Sequence, residues 1–140
     1  RIDVVVGTHP HEDHIGGLYT VIENFDLGKI YMPKAVTATK TFEDVLKSVK
    51  NKGLKVNTAE AGVDIGLDPQ LTSVFLAPNS GGYEDLNNYS AVIKLTYGST
   101  SFLLSGDAED LSEEEMLQKG YDLKADVLKV GHHGSSSSTT

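Results

Sequence analysis

The spacing of apolar residues divides the chain into short strands and amphipathic helices. Runs of β-branched and other apolar residues predict strands over residues 2–7, 29–33, 91–97, 101–105 and 125–131, with further short β-like runs between 54 and 78. Apolar residues at helical spacing predict helices over 15–25, 41–52 and 111–120. Because the two kinds of element are mixed along the whole chain, the pattern predicts one domain over 1–140 of the α/β or α+β class.

The same pattern makes more specific predictions for three elements. One face of the helix over 41–52 is expected to be buried through Phe42, Val45, Leu46 and Val49. At the start of the last helix, Ser112 and Glu115 have the spacing of a capping box. The final strand is expected to be buried. Polar loops follow several of the strands, and α/β folds place their functional sites in such loops.

Composition limits the classes of function. The 140 residues carry 20 acidic and 12 basic side chains, a formal charge of −8, which argues against broad nonspecific binding to nucleic acid or anionic membranes. The chain has no cysteine, so it offers neither a disulfide nor a thiolate ligand. Since the sequence starts at Arg1 and stops just after a histidine cluster, we expect it to be a piece of a longer protein.

All five histidines lie in two clusters, each directly after an apolar strand. The first cluster, THPHEDHIGGL, contains His9, His11, Asp13 and His14. Residues two apart in an extended chain face the same way, so His9 and His11 can bind one metal ion together. Asp13 and His14 lie where the chain turns into a helix and can face a second ion. Imidazole and carboxylate groups suit zinc, iron or manganese.

The second cluster, VGHHGS, follows the last strand and places His132 beside His133. Neighbouring residues in an extended chain face opposite ways, so we expect one of these histidines to bind metal and the other to contact substrate or donate a proton. Asp107 ends the strand SFLLSGD, where a carboxylate can bridge two ions. The plainer alternatives are a turn-forming Asp107 and a first cluster that only caps a helix.

Three segments together resemble one family. THPHEDHIGGL matches the H-x-H-x-D-H signature of the metallo-β-lactamase superfamily. LNNYSAVIKLTYGSTSFLLSGDAE and ADVLKVGHHGSSSS resemble the metallo-β-lactamase-like domain of bacterial ComEC-type competence proteins, and equally the secreted hydrolases related to them. The resemblance covers nearly the whole chain, and the motifs occur in the order typical of the family.

The resemblance implies an αββα sandwich, here truncated at both ends, with two divalent metal ions, zinc or manganese, at one edge. The family's motif would assign His9 and His11 to the first ion, Asp13 and His14 to the second, and Asp107 to a bridging position. Its final ligand position matches His133 better than His132.

The sequence departs from the family at one ligand position. Most dinuclear members carry a further histidine between the first motif and the bridging aspartate, whereas no histidine lies between the two clusters here. The segment NNYS stands in its place, so we expect Asn87, Asn88 or Ser90 to line the site. An amide oxygen is a weaker and harder ligand than imidazole, so the first metal site would either keep open positions or favour manganese over zinc. Asn88 and Ser90, with Ser135 in the serine-rich tail, are the expected substrate contacts.

The activity implied by the resemblance is metal-assisted hydrolysis, in which two ions activate a water molecule that Asp13 or Asp107 orients as the catalytic carboxylate. The implied substrate is a DNA phosphodiester, cut in the strand that is not taken up during competence. Lys94, Lys124 and Lys129 are too few to form a clear basic track. A small ester, lactone or phosphodiester is therefore an alternative substrate, and a non-catalytic metal-binding module of a DNA-uptake channel is a second alternative.

The same resemblance implies the partners and the location. The partners would be single-stranded DNA and a membrane channel domain of the same polypeptide. The location would be extracytoplasmic in a bacterium, either as a domain of a membrane protein or as a secreted enzyme.

Overall fold

Two β-sheets form the centre of the molecule in a computed structural model that describes residues 1–140. The first half of the chain forms β1 (Ile2–Val6), α1 (Glu12–Ile15), α2 (Leu18–Asn24), β2 (Leu27–Met32), α3 (Lys40–Asn51) and β3 (Val56–Thr58). The second half forms β4 (Leu71–Ala77), β5 (Val92–Tyr97), β6 (Thr100–Leu104), α4 (Asp110–Gln118) and β7 (Val127–Lys129). Short 3-10 turns lie at Leu86–Tyr89 and His132–Gly134.

The two sheets differ in strand direction. The first has the order β1-β2-β3 and is parallel throughout, so each connection needs a crossover, and the helices α1 to α3 supply it. The second has the order β4-β5-β6-β7. Its first three strands are antiparallel, and β7 pairs parallel to β6 after the crossover through α4.

Alternating side chains on the strands build the core in layers. On β2, Tyr31 points between the sheets and lies with its ring centroid 5.3 Å from that of Phe75 on β4. Its neighbour Ile30 points to the opposite face and packs with residues of α2 and α3. Met116 of α4 packs on the outer face of the second sheet. The layers run helix, sheet, sheet, helix, which confirms the αββα sandwich.

Most of the predicted elements are present, with shifted ends. The helix expected over 15–25 is divided at Gly16 and Gly17 into α1 and α2. On α3, Leu46 is 40% exposed, and Ser48 is buried instead, with its hydroxyl 3.2 Å from Oε1 of Glu23. The expected burial of Leu46 is therefore wrong, because the buried face of the helix is rotated away from Leu46 toward Ser48.

Two further expectations in the second half are wrong. α4 begins at Asp110 with Glu109 at the N-cap position, so Ser112 lies inside the first turn and forms no capping box. A residue from another part of the chain accepts one of the backbone N–H groups that have no partner within the first turn of the helix. The Ser112 backbone N–H donates to Oδ1 of Asn88 at 3.2 Å. The final strand is exposed rather than buried, because β7 lies at a sheet edge with β6 as its only paired neighbour. None of the helices combines the length and apolar character needed to cross a membrane.

Candidate metal centre

The loop after β1 brings the first histidines together. Gly7 ends the strand in a tight space, where a Cβ atom would lie 3.2 Å from side-chain atoms of Leu18 and Met32. The chain bends at His9 and Pro10 and is extended at His11, the N-cap of α1, with φ −81° and ψ 147°. Nε2 of His9 lies 3.0 Å from Nδ1 of His11, so the two rings come together although the backbone between them is bent rather than extended as the spacing argument assumed.

Four other side chains converge beside this pair. Ligand atoms of Asp13, His14, Asp107 and His133 all lie within 4.8 Å of one another. Oδ2 of Asp107 lies 3.0 Å from Nε2 of His14 and 3.2 Å from Nε2 of His133. Oδ2 of Asp13 lies 3.4 Å from each of the same two nitrogens. The fold thus joins residues from both ends of the chain.

These separations fit a tetrahedral metal ion. Nitrogen and oxygen ligands at about 2.0–2.1 Å from zinc lie about 3.3 Å from one another. Oδ1 of Asp107 adds independent support, since it is buried and has no hydrogen-bond partner. A buried carboxylate oxygen left without a partner costs free energy, whereas a second cation beside it would satisfy it. The donor set of two imidazoles and two carboxylates therefore fits a divalent metal.

His9 connects this group of four to the His9–His11 pair. It is fully buried, and its Nε2 lies 3.9 Å from Oδ2 of Asp107. Burial, followed by the neighbouring His14, lowers the pKa of His9 to about 4. The imidazole is therefore neutral near pH 7, which is the form that binds metal. Asp107 stands between the two histidine groups, as a bridging carboxylate would.

Ser90 holds both His9 and Asp107 in place. Its Oγ lies 3.3 Å from Nδ1 of His9 and accepts the backbone N–H of Asp107 at 3.0 Å. Oγ1 of Thr8 lies 3.2 Å from the same Nδ1. Sequence reasoning expected Ser90 near the site but missed Thr8, although a hydroxyl residue next to a candidate histidine ligand is a usable signal.

The adjacent histidines of the second cluster point to different carboxylates. His133 reaches the group of four, whereas Nδ1 of His132 lies 2.9 Å from Oε1 of Glu109. Both histidines have positive φ, 43° for His132 and 53° for His133. Sequence reasoning left open which one faces the metal group, and it missed Glu109, which follows Asp107 by two positions.

The other predicted contacts lie around the site rather than in the group of four. Asn88 is buried, and its Oδ1 accepts a hydrogen bond from the backbone N–H of Ser112 in α4. Nδ2 of Asn87 donates to Oε1 of Glu109 at 3.3 Å. Ser135 lies with its Oγ 3.0 Å from that of Ser137. The roles of Asn88, Ser90 and Ser135 toward a substrate stay predictions.

The site is open on one side. Asp107 and His9 are buried, whereas the side chains of Asp13 and His133 are 65% and 60% exposed. A substrate would therefore approach from the face that carries Asp13 and His133, with Asp107 behind them.

Comparison with known proteins identifies the family that this chain resembles. The family model for the metallo-beta-lactamase superfamily matches residues 1–140. ComE operon protein 3 of Bacillus subtilis is 32% identical over 139 residues, which cover 99% of this chain and 18% of that protein. Competence protein ComA of Neisseria gonorrhoeae is 28% identical over 141 residues, 100% of this chain and 18% of that protein. These relatives are competence proteins of the ComEC type.

Solved structures agree on the fold. CmlA, a diiron beta-hydroxylase from Streptomyces venezuelae, aligns with a TM-score of 0.61 and 18% identity, covering 93% of this chain and 25% of that one. At this level of identity the similarity concerns the fold alone.

Proposed function

The chain belongs to the metallo-β-lactamase superfamily, and we propose that it is a metal-dependent hydrolase that cleaves DNA phosphodiesters in competence-linked DNA uptake. The observation that carries the hydrolase proposal is the convergence of Asp13, His14, Asp107 and His133 around one point, with a buried carboxylate oxygen of Asp107 left without a partner. The proposed substrate rests on the competence relatives.

The residues would divide between two ions. Asp13, His14 and His133 would hold one ion, His9 and His11 the other, and Asp107 would contact both. A divalent ion supplies Lewis acidity, which polarises a phosphoryl or carbonyl oxygen and lowers the pKa of water. Zinc and manganese are the two candidates, because both accept imidazole and carboxylate ligands.

Within this centre the two carboxylates would have different tasks. Asp107 is buried, so it would fix the position of the ligands and leave little room for water behind them. Asp13 is exposed at the open face, where its carboxylate can accept a proton from an attacking water molecule and orient it toward the substrate. His9 would remain a neutral ligand because burial holds its pKa near 4.

The distribution of lysines supports an anionic substrate in spite of the acidic total. Seven of the 12 basic residues, but only two of the 20 acidic ones, lie between positions 29 and 55. Much of this segment is α3, which packs against α1, the helix that carries Asp13 and His14. On α3, Lys47 and Lys50 are exposed and form no ion pair. These two lysines form a local basic surface on a protein whose net charge is negative.

A small ester, lactone or phosphodiester is the second candidate substrate. The formal charge of −8 favours it, since most of the surface would repel a long polyanion. We also propose an extracytoplasmic location beside a membrane channel domain of the same polypeptide. That proposal is supported by the ComEC-type relatives, of whose length the chain spans 18%.

One set of assays separates these functions. The chain is loaded with Mn²⁺ or Zn²⁺ and offered single-stranded DNA, bis-p-nitrophenyl phosphate and a lactone. Asp13→Ala is compared with Glu12→Ala, which removes the neighbouring exposed carboxylate of the same helix. DNA cleavage that Asp13→Ala abolishes and Glu12→Ala retains supports the nuclease. Turnover of the lactone alone would favour the small-substrate enzyme, and bound metal without any turnover would favour a non-catalytic module.

A further inference from the structure

Adjacent histidines in the second cluster each face their own carboxylate. Nε2 of His133 lies 3.2 Å from Oδ2 of Asp107, and Nδ1 of His132 lies 2.9 Å from Oε1 of Glu109. Asp107 and Glu109 are two positions apart, at the junction of β6 and α4. Two neighbouring residues of one loop are thus attached to two nearly neighbouring residues of another.

Both histidines have a backbone conformation that costs free energy. Their φ values of 43° and 53° lie in the left-handed region, which residues with a Cβ atom rarely occupy. Two such residues in succession persist only when contacts elsewhere hold them there. In this backbone conformation the two rings contact different carboxylates, with their centroids 6.1 Å apart.

Glu109 supplies the contacts that hold His132. Its Oε1 lies 2.9 Å from Nδ1 of His132 and accepts from the hydroxyl of Ser137 at 2.9 Å and from Nδ2 of Asn87 at 3.3 Å. Oγ of Ser137 also lies 3.0 Å from Nδ1 of His132, so Glu109 holds this ring both directly and through Ser137. Because a carboxylate only accepts, the proton of the His132 ring is assigned to Nδ1. The backbone N–H of His132 also donates to the carbonyl of Gly106 at 3.2 Å, next to Asp107.

We propose that Glu109 is a positioning residue for the metal centre, which holds His132 and thereby directs His133 at the second ion. This inference rests on the metal centre proposed above. Glu109 forms no hydrogen bond or ion pair with any member of the group of four. Its effect would pass through the backbone of His132 to the ring of His133.

The test measures binding of Co²⁺ by calorimetry and by visible absorption, which reports the coordination of the ion. Removing a residue that orients a metal ligand weakens metal affinity by about 10-fold to 100-fold. We expect that loss in Glu109→Ala, together with a changed Co²⁺ spectrum. Glu109→Gln keeps a side-chain oxygen that accepts from His132 and is expected to recover part of the affinity. His132→Ala should weaken Co²⁺ binding by the same factor as Glu109→Ala. The double variant should bind Co²⁺ no more weakly than either single variant.

Glu113→Ala is the matched control. Glu113 is another carboxylate of α4 that holds the same C-terminal segment, since Oε2 accepts from the backbone N–H of Thr140 at 3.0 Å and from its hydroxyl at 2.9 Å. It makes no contact with His132, so this variant should bind Co²⁺ like the unmodified chain, with the same spectrum.

The outcomes separate this inference from the proposed function. If the unmodified chain binds no Co²⁺, the metal centre is wrong and the role of Glu109 is overturned with it. If the unmodified chain binds Co²⁺, and folded Glu109→Ala and Glu109→Gln bind it equally well with the same spectrum, only the role of Glu109 is overturned. An equal loss in Glu113→Ala would also overturn it, because any loosening of the segment would then suffice.

Discussion

Nε2 of His14 lies 3.1 Å from Nε2 of His133, although 119 positions separate the two residues. Two imidazole nitrogens at this distance share at most one proton, and each also lies close to the carboxylate of Asp107. A divalent metal ion placed among them would satisfy both nitrogens and the carboxylate together. The relationship therefore brings the N-terminal and C-terminal histidine clusters together at one candidate site.

His133→Ala tests that relationship directly. Loss of an orienting neighbour weakens metal binding by about 10-fold to 100-fold, so loss of a ligand should weaken it at least as much. Titration calorimetry with Mn²⁺ and Zn²⁺ measures the change. Ser136→Ala, an exposed substitution in the same loop, is the control and should bind normally. Unchanged affinity in folded His133→Ala would remove His133 from the ligand set.

Metal binding should also stabilise the fold through Asp107. A ligand that binds only the folded state at 100 times its Kd adds about 2.7 kcal/mol to the free energy of unfolding. We expect Zn²⁺ or Mn²⁺ to raise the Tm of the unmodified chain and a chelator to reverse the rise. In Asp107→Asn the shape is kept but the charge is lost, so the metal-dependent rise in Tm should largely disappear. A rise of equal size in that variant would contradict the central position of Asp107.

Gly106 is expected to be required for placing Asp107. It has φ +56°, and a Cβ atom there would lie 3.1 Å from Cβ of Ser90, the residue that holds both His9 and Asp107. Gly106→Ala should cost about 1–2 kcal/mol for the left-handed backbone and a further amount, about 1–3 kcal/mol, for overpacking. Metal affinity should fall with stability.

Gly98→Ala provides the matched comparison. Gly98 has φ +57°, but a Cβ atom there would meet nothing within 4 Å. This variant should therefore show only the backbone cost, about 1–2 kcal/mol, with normal metal affinity. Urea unfolding and calorimetry on both variants measure the difference. Equal losses of stability and metal affinity in the two would show that the contact with Ser90 is unimportant.

The motif resemblance predicted the layers of the fold, and residue type and position predicted Asp13, His14 and Asp107 as metal-ligand candidates, with His132 and His133 left as alternatives. Helical spacing on α3 predicted the burial of Phe42, Val45 and Val49 but not the exchange of Leu46 for Ser48, and residue type and position alone singled out His9 and Asp107 as candidates. The choice between His132 and His133 depended on two positive φ values and on Glu109, and neither is visible in local spacing. Local spacing also could not predict the start of α4, because Asn88, from another part of the chain, accepts a hydrogen bond from the first turn of this helix.

Tyr83 should make the stability of the fold depend on pH in the alkaline range. Burial, and then a hydrogen bond from its hydroxyl to Glu115, raise the pKa of Tyr83 to about 12 from its ordinary value of 10.0. Because the folded state holds this proton more tightly, its contribution is fully present below pH 10 and is lost as the pH rises toward 12. The free energy of unfolding should therefore fall more steeply over that range in the unmodified chain than in Tyr83→Phe. If the free energy of unfolding fell equally with pH in the two proteins, the raised pKa of Tyr83 would be contradicted.

The lysines of α3 should contribute to DNA binding if DNA is the substrate. Each phosphate contact on single-stranded DNA changes the slope of log K against log[salt] by about 0.7. Lys47→Glu and Lys50→Glu should each weaken binding to a single-stranded oligonucleotide and flatten this slope. Lys119→Glu makes the same charge change at an exposed position outside the basic segment and should leave the slope nearly unchanged. Equal effects of all three substitutions would indicate that DNA responds to net charge alone, and no effect from either α3 variant would place the DNA on another surface.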